Sequence, residues 1–151
     1  MMPDIRRATD DDLGSIIGPW SQEMRHAPWS RGMPDDLYFP AQKQVIKKLL
    51  RRAITLVAAD PEDGWHTYGF VTFETAMVHF LYVKDTFRRM GIGRKLLDSA
   101  IGGTAHVVLT QPTGGFLRRF DEQRRVGGKE NFTDYAGRQF VCSPLSLLEL
   151  R

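Results

Sequence analysis

The stretch Val83-Lys84-Asp85-Thr86-Phe87-Arg88-Arg89-Met90-Gly91-Ile92-Gly93-Arg94-Lys95-Leu96-Leu97 decides the fold. An apolar run, Met77 to Val83, comes just before its loop, and an amphipathic helical pattern, Gly93 to Ile101, follows. A strand, a glycine loop with arginines and a helix N-terminus form an anion cradle. The first amides of a helix have no intrahelical partners, and the helix dipole adds partial positive charge there. Gly91 and Gly93 let the backbone approach a ligand without a Cβ in the way. Arg88, Arg89, Arg94 and Lys95 add positive charge around the same loop.

Two familiar phosphate loops fail here. A dinucleotide loop of the form G-x-G-x-x-G needs a third glycine, and position 96 is Leu. A G-x-x-x-x-G-K-[ST] loop fails at Gly128-Lys129, which is followed by Glu130 and preceded by Gln at position 123. What remains, Arg88-Arg89-Met90-Gly91-Ile92-Gly93, resembles the R/Q-x-x-G-x-G/A signature of the GCN5-related N-acetyltransferase (GNAT) superfamily. Asp4 to Leu13 is similar to the usual opening of that family, a short strand running into the first helix. The resemblance covers residues 4 to about 110. It implies an α/β (α+β) GNAT fold: a central mixed, mostly antiparallel sheet of about six to seven strands, flanked by about four helices. Residues 29–39, 58–63 and 79–84 also resemble GNAT-like proteins of bacteriophages and prophages.

Composition agrees with one globular domain spanning residues 1–151. The net charge of +3 is too small to argue for nucleic acid by itself, and an anionic cofactor accounts for part of it. The single Cys142 excludes an internal disulfide and fits a reducing compartment; its thiol reads as buried. No run approaches the roughly 18 apolar residues of a membrane span, and acidic residues arrive by Asp10, before any signal-type apolar segment. The expectation is a cytoplasmic protein. His26, His66, His79 and His106 lie far apart without H-x-x-x-H or C-x-x-C spacing, so no metal is expected.

Periodicity predicts a strand at 5–8 and a helix from Asp10 to about Arg25, capped by Thr9. Gly18-Pro19 kinks or ends that helix. A loop follows from His26 to Phe39, then a helix from Pro40 to Arg52 with a basic outer face. Strands are predicted at 54–59, 67–74, 77–83 and 106–110, and Gly102-Gly103 ends the helix between the last two. A short helix, Phe116 to Arg125, and one or two strands within 132–142 complete the chain before an apolar tail, Leu145 to Leu150.

The resemblance implies a site. Acetyl-CoA (CoA) lies between the strands 77–83 and 106–110, along Leu81, Tyr82 and Val83. The backbone of Leu81 and Val83 pairs with its pantetheine arm as an added strand would. Amides of Arg89, Met90, Gly91, Ile92, Gly93 and Arg94 hold the pyrophosphate, with Arg88 and Lys95 beside them. The Tyr82 side chain alternates to the other face and reads as core.

The reaction is attack of an amine on the thioester. A lysine-type amine titrates near 10.4, so its proton must be taken. His79 is the first candidate base, because alternation sets it on one face with Met77, Leu81 and Val83. A core histidine bonded to a neighbouring strand is the other reading. Glu74 acts through water or is simply exposed at a turn. Tyr135 can reach the thiol from the C-terminal strands. The usual tyrosine after the fifth strand has no counterpart in residues 110–120.

For the acceptor, Asp35 and Asp36 attract a cationic amine, or cap a turn. Trp29 and Tyr38 stack on a ring, or anchor the loop. The acceptor is an amine-bearing small molecule or protein. Three functions compete: an N-acetyltransferase, a nucleic-acid-modifying or DNA-binding protein using the basic helix 43–52, and a non-catalytic acyl-CoA-binding subunit. The apolar tail covers its own core or joins a homodimer.

Overall fold

A computed structural model describes residues 2–27, 30–111, 116, 118, 119, 122, 123, 125 and 131–142. Its centre is a seven-stranded mixed sheet. The strands are β1 (Asp4–Arg7), β2 (Ile54–Ala59), β3 (Thr67–Glu74), β4 (Met77–Val83), β5 (His106–Leu109), β6 (Asn131–Thr133) and β7 (Gln139–Cys142). The spatial order is β1-β2-β3-β4-β5-β7-β6. The first four strands pair antiparallel, β5 lies parallel between β4 and β7, and β6 returns antiparallel on β7. The α/β GNAT-type architecture expected from the sequence is what the chain adopts.

Three helices carry the cover: α1 (Leu13–Met24), α2 (Asp35–Arg52) and α3 (Ile92–Ile101). Residues 116, 118, 119, 122, 123 and 125 are also helical. The apolar stripes of α1 and α2, with Ile16, Trp20, Met24, Ile46 and Leu49, pack on Val57, Phe70 and Phe80 of the sheet. Trp20 stacks on Phe80 with ring centroids 4.9 Å apart. The opposite face receives Ile92, Leu96, Leu97 and Ile101 of α3 on Val71, Val78, Val107 and Leu109. Phe132 and Phe140, stacked at 5.0 Å, extend that layer under β6 and β7.

Helix starts differ from the periodicity reading. Asp10–Asp12 form a 3-10 turn ahead of α1. Asp12 bonds the Thr9 amide (2.7 Å) and is gripped by both Arg6 terminal nitrogens, at 2.7 and 2.9 Å. That guanidinium holds the Asp12 carboxyl below its ordinary range. Pro19 sits inside α1 without ending it. Helix α2 begins at Asp35, not Pro40, with Pro34 as its N-cap. Asp35 and Asp36 fall in its first turn, where negative charge is favoured, and Pro34 accepts the amides of Leu37 and Tyr38. Pro40 lies inside α2 without ending it, at the cost of the helical bond its nitrogen cannot donate to the Asp36 carbonyl. Cys142 is exposed rather than buried, because a four-residue strand alternates Phe140 inward and leaves Val141 and Cys142 exposed at its end.

The β6–β7 hairpin is fastened to α3 by one buried guanidinium. Arg138 donates to Asp134 (2.8 Å), the Gly102 carbonyl (3.0 Å), Asp98 (3.1 Å) and the Tyr135 hydroxyl (2.8 Å). Arg138→Met removes the cation and leaves the Asp134 carboxylate with only the Ala136 and Arg138 amides. The expected loss is about 3 kcal/mol of unfolding free energy, read from the urea midpoint; an unchanged midpoint would show that the fastening is energetically idle.

Candidate active site

The site begins where two parallel strands part. The β4–β5 ladder runs through the Val108 amide to the Ala76 carbonyl (2.9 Å) and the Thr110 amide to the Val78 carbonyl (3.1 Å). It ends with the Gln111 amide on the His79 carbonyl (3.2 Å). Beyond it, residues 80–83 have no β5 partner among the described residues. The Lys84 amide bonds the Tyr68 carbonyl, so Tyr82, opposite Phe70, pairs inward with β3. By alternation the polar groups of Leu81 and Val83 face the open edge. Arg88 already donates its Nε to the Val83 carbonyl (2.8 Å). Tyr82 itself turns to the α1 side against Phe70, so neither its backbone nor its ring belongs to the open edge.

The open edge forms one wall of a cleft of about 480 Å³. Leu81 stands on that wall, with Gly93, Arg94 and Leu97 of α3 beside it, Phe116 and Arg119 across, and Thr133, Asp134 and Tyr135 closing the hairpin side. The end of the cleft is the start of α3. The first helical bond runs from the Lys95 amide to the Gly91 carbonyl (3.1 Å), and no side chain caps the helix. The amides of Ile92, Gly93 and Arg94 therefore stand ahead of the ladder with no side-chain cap. Gly91 makes this turn at φ 82°, where a side chain is strained. Arg89 also sits in the left-handed region, at φ 66°.

The cations of the loop divide. Arg88 pairs with Asp85 (2.5 Å) and leans on the Tyr82 ring. Lys95 donates to the Pro3 carbonyl (2.7 Å), which ties the N-terminal strand to α3 and takes this charge out of the loop. Arg94 lies over the Tyr135 ring at 4.6 Å. Met90 is exposed at the loop tip. An anion at this helix start thus meets backbone amides first and side chains second.

At the fork stands a buried polar chain. Phe73 faces Val78, whereas Thr72 faces Phe80, so His79 is the extra residue of a β-bulge. The bulge overturns the simple alternation of the sequence reading. Val78, Leu81 and Val83 belong to the α3 layer. His79 instead meets Glu74, which Arg52 of α2 holds at 3.1 Å. The His79 Nε2 lies 2.6 Å from Glu74 and its Nδ1 lies 2.8 Å from the Thr110 hydroxyl. A carboxylate only accepts, so Nε2 carries the proton and Nδ1 accepts from Thr110. Burial pulls the imidazole below its usual value of 6.5; Glu74 opposes this, and Arg52 adds to it. Burial works to raise the Glu74 carboxyl, but His79 and Arg52 outweigh it and hold it below its usual range. The pair is therefore a neutral histidine on an ionised glutamate. Next to it, Gln111 accepts from the Trp20 indole N–H and, at 3.4 Å, from Gln42.

The other candidates fare unequally. Tyr135 reaches the cleft, but its hydroxyl is held by Asp98 (2.7 Å), the Arg94 carbonyl (3.1 Å) and Arg138. Burial, then the Asp98 contact, raises its pKa. Tyr38 is fully buried, donates to the Ser21 carbonyl (2.7 Å) and is pushed up to about 12 by burial, so it fastens α2 to α1 and faces no substrate. Asp35 takes Arg25 at 2.9 Å, and Asp36 is exposed in the same turn. Trp29 lies outside the described residues. Thr110 and Gln111 escaped the sequence reading. Their signal, two polar residues closing a buried strand, was present but ambiguous with a turn.

The residues at the fork fit acetyl-CoA, the cofactor of the GNAT family. The uncapped amides of Ile92, Gly93 and Arg94 suit a pyrophosphate, and the unpaired edge at Leu81 suits an amide-bearing arm. Among the described residues no helix is long and apolar enough to cross a membrane, and no three metal-type side chains gather.

No curated protein matches the chain. Among solved structures, a possible acetyltransferase from Clostridium difficile 630 is 14% identical, covers 89% of this chain and 96% of that one, and superposes with a TM-score of 0.50. The apo form of YjaB from Escherichia coli is 19% identical over 66% of this chain and 67% of that one, at 0.48. A GCN5-related N-acetyltransferase from Rhodopseudomonas palustris is 15% identical over 66% of this chain, at 0.48; the match spans 63% of that protein, less than two-thirds of its length. At such identities the likeness is one of fold. The model of the acetyltransferase (GNAT) family matches residues 17–106, well over half of the chain and the whole of the β4–loop–α3 unit, and the chain therefore belongs to that family.

Proposed function

We propose that the protein is an acetyl-CoA-dependent N-acetyltransferase that transfers the acetyl group directly to an amine acceptor. The observation that carries this reading is the fork itself: an open strand edge and an uncapped helix start on one side, and at its apex a buried His79 bonded to a half-buried Glu74. Bound acetyl-CoA supplies an activated acetyl thioester. The amides of Ile92, Gly93 and Arg94 would hold its pyrophosphate, and the Leu81 edge would align its arm. His79 takes the proton of the acceptor amine. The proton passes through the Thr110 hydroxyl, which gives its own proton to Nδ1 as it accepts one; both groups are almost wholly buried, so the acceptor amine has to reach the apex of the fork. The imidazolium so formed rests against the Glu74 carboxylate; as the C–N bond forms the C–S bond breaks, and the proton returns by the same path to the departing sulfur. Tyr135, committed to Asp98 and Arg138, walls the cleft. A phage or prophage origin belongs to the same proposal and rests on three short segments of sequence.

Calorimetry with acetyl-CoA tests the cofactor half. Gly91→Val forces a branched side chain into φ 82° and should weaken binding at least roughly tenfold with the fold retained. Equal binding by the variant would remove the loop from the site.

The proton half separates from it in the kinetics of thiol release with a panel of amines. His79→Ala should leave acetyl-CoA binding intact and lower kcat by about 10²- to 10⁴-fold; an undiminished kcat would end its role as base. A base must be neutral, and burial holds His79 below 6.5, so activity should be full at neutral pH and fall only on the acid side of that value. Glu74 raises the His79 pKa and Arg52 lowers it. Glu74→Gln should therefore move the acid limb to lower pH, and Arg52→Ala should move it to higher pH. A limb that stays fixed in both variants would belong to another group.

A further inference from the structure

A second cavity, of about 460 Å³, lies between the end of β1, the 3-10 turn, α1, the last turns of α2 and the start of β2. None of its lining residues is shared with the cleft at α3. Its floor is apolar, made of Leu13, Ile16 and Leu50. Its rim carries three cations, Arg7, Lys47 and Arg51. None of the three makes an ion pair among the described residues, while the neighbouring Arg6 and Arg52 are both paired. Asp10 is the one acid in the lining.

We infer that this cavity binds a small anionic amphiphile, a carboxylate or phosphate on a short apolar body, at a site separate from the cofactor cleft. The volume lies in the range of small-molecule sites. The apolar floor rewards burial of a hydrocarbon or ring. The fan of unpaired cations at one rim attracts a negative head. The same charges on a flat helix face would suit a nucleic-acid backbone, but here two of them stand at the mouth of a pocket with an apolar floor. An acceptor amine is excluded by charge, so this site does not serve the acetyl transfer directly.

The test is calorimetry of the full chain with hexanoate, with hexylamine and hexanol as probes of charge and of apolarity alone. Saturable hexanoate binding is expected, with neither control binding comparably, and it should persist in saturating CoA. Lys47→Gln with Arg51→Gln should weaken it at least roughly tenfold. Leu50→Trp, which fills the floor, should weaken it independently. Both variants are checked by circular dichroism and by retained CoA binding. The inference fails if the folded wild type shows no saturable hexanoate binding, if hexylamine binds as well, or if CoA displaces hexanoate. It also fails if duplex DNA, rather than hexanoate, binds in a salt-sensitive manner that the double variant abolishes.

Discussion

The hydrogen bond from the Gln111 amide to the His79 carbonyl is the last rung between β4 and β5, and the cleft exists because the ladder stops there. Two parallel strands held along their whole length would leave no edge for a ligand. Parting them leaves backbone donors and acceptors at Leu81 and Val83 without partners in the sheet. Such groups are costly to bury unpaired, so the opening is stable only where solvent or a ligand reaches it. The bulge at His79 lies at the same level. An extra residue on β4 disturbs its pairing with β3 and brings two successive carbonyls, those of Val78 and His79, to the β5 side. The fork and the placing of the histidine thus have one backbone cause.

Around that fork, three charged side chains have a mechanical role. Arg138 fixes the β6–β7 hairpin to α3 and so fixes the hairpin wall of the cleft. Lys95, on the first turns of α3, fastens the N-terminal segment instead of facing the loop. Arg88 satisfies the Val83 carbonyl and reaches Asp85, with Glu23 of α1 at 3.8 Å. What remains at the helix start is mostly backbone. That choice keeps its geometry rigid, since amides at a helix start cannot swing away as lysines can.

Much of this was legible in the chain. The strand–loop–helix unit 77–101 carries its own signals: an apolar run, a glycine at a left-handed turn and a helical stripe of Ile92, Leu96, Leu97 and Ile101. The stripe of α1, with Trp20 at its centre, could also be read from spacing. The start of α2 could not, because Pro40 resembles a first-turn proline as closely as Pro34 resembles a cap. Tyr38 was equally ambiguous: an aromatic residue in a presumed loop looks available to a ligand, yet in the first turns of a helix it faces α1 and is buried.

The sequence by itself determined the family, the sheet's central strands and the glycine turn that opens α3, since these depend on residues adjacent in the chain and on local periods. Only the tertiary structure decided the chemistry of the fork. Alternation placed His79 with Leu81 and Val83, and one bulge, set by pairing with β3, sent it to Glu74 instead. The partners of the histidine, Glu74 and Thr110, and Arg52 behind Glu74, come from separate elements that meet only when the sheet and α2 pack together. A register shift is a property of two strands at once, and no period within either one can reveal it.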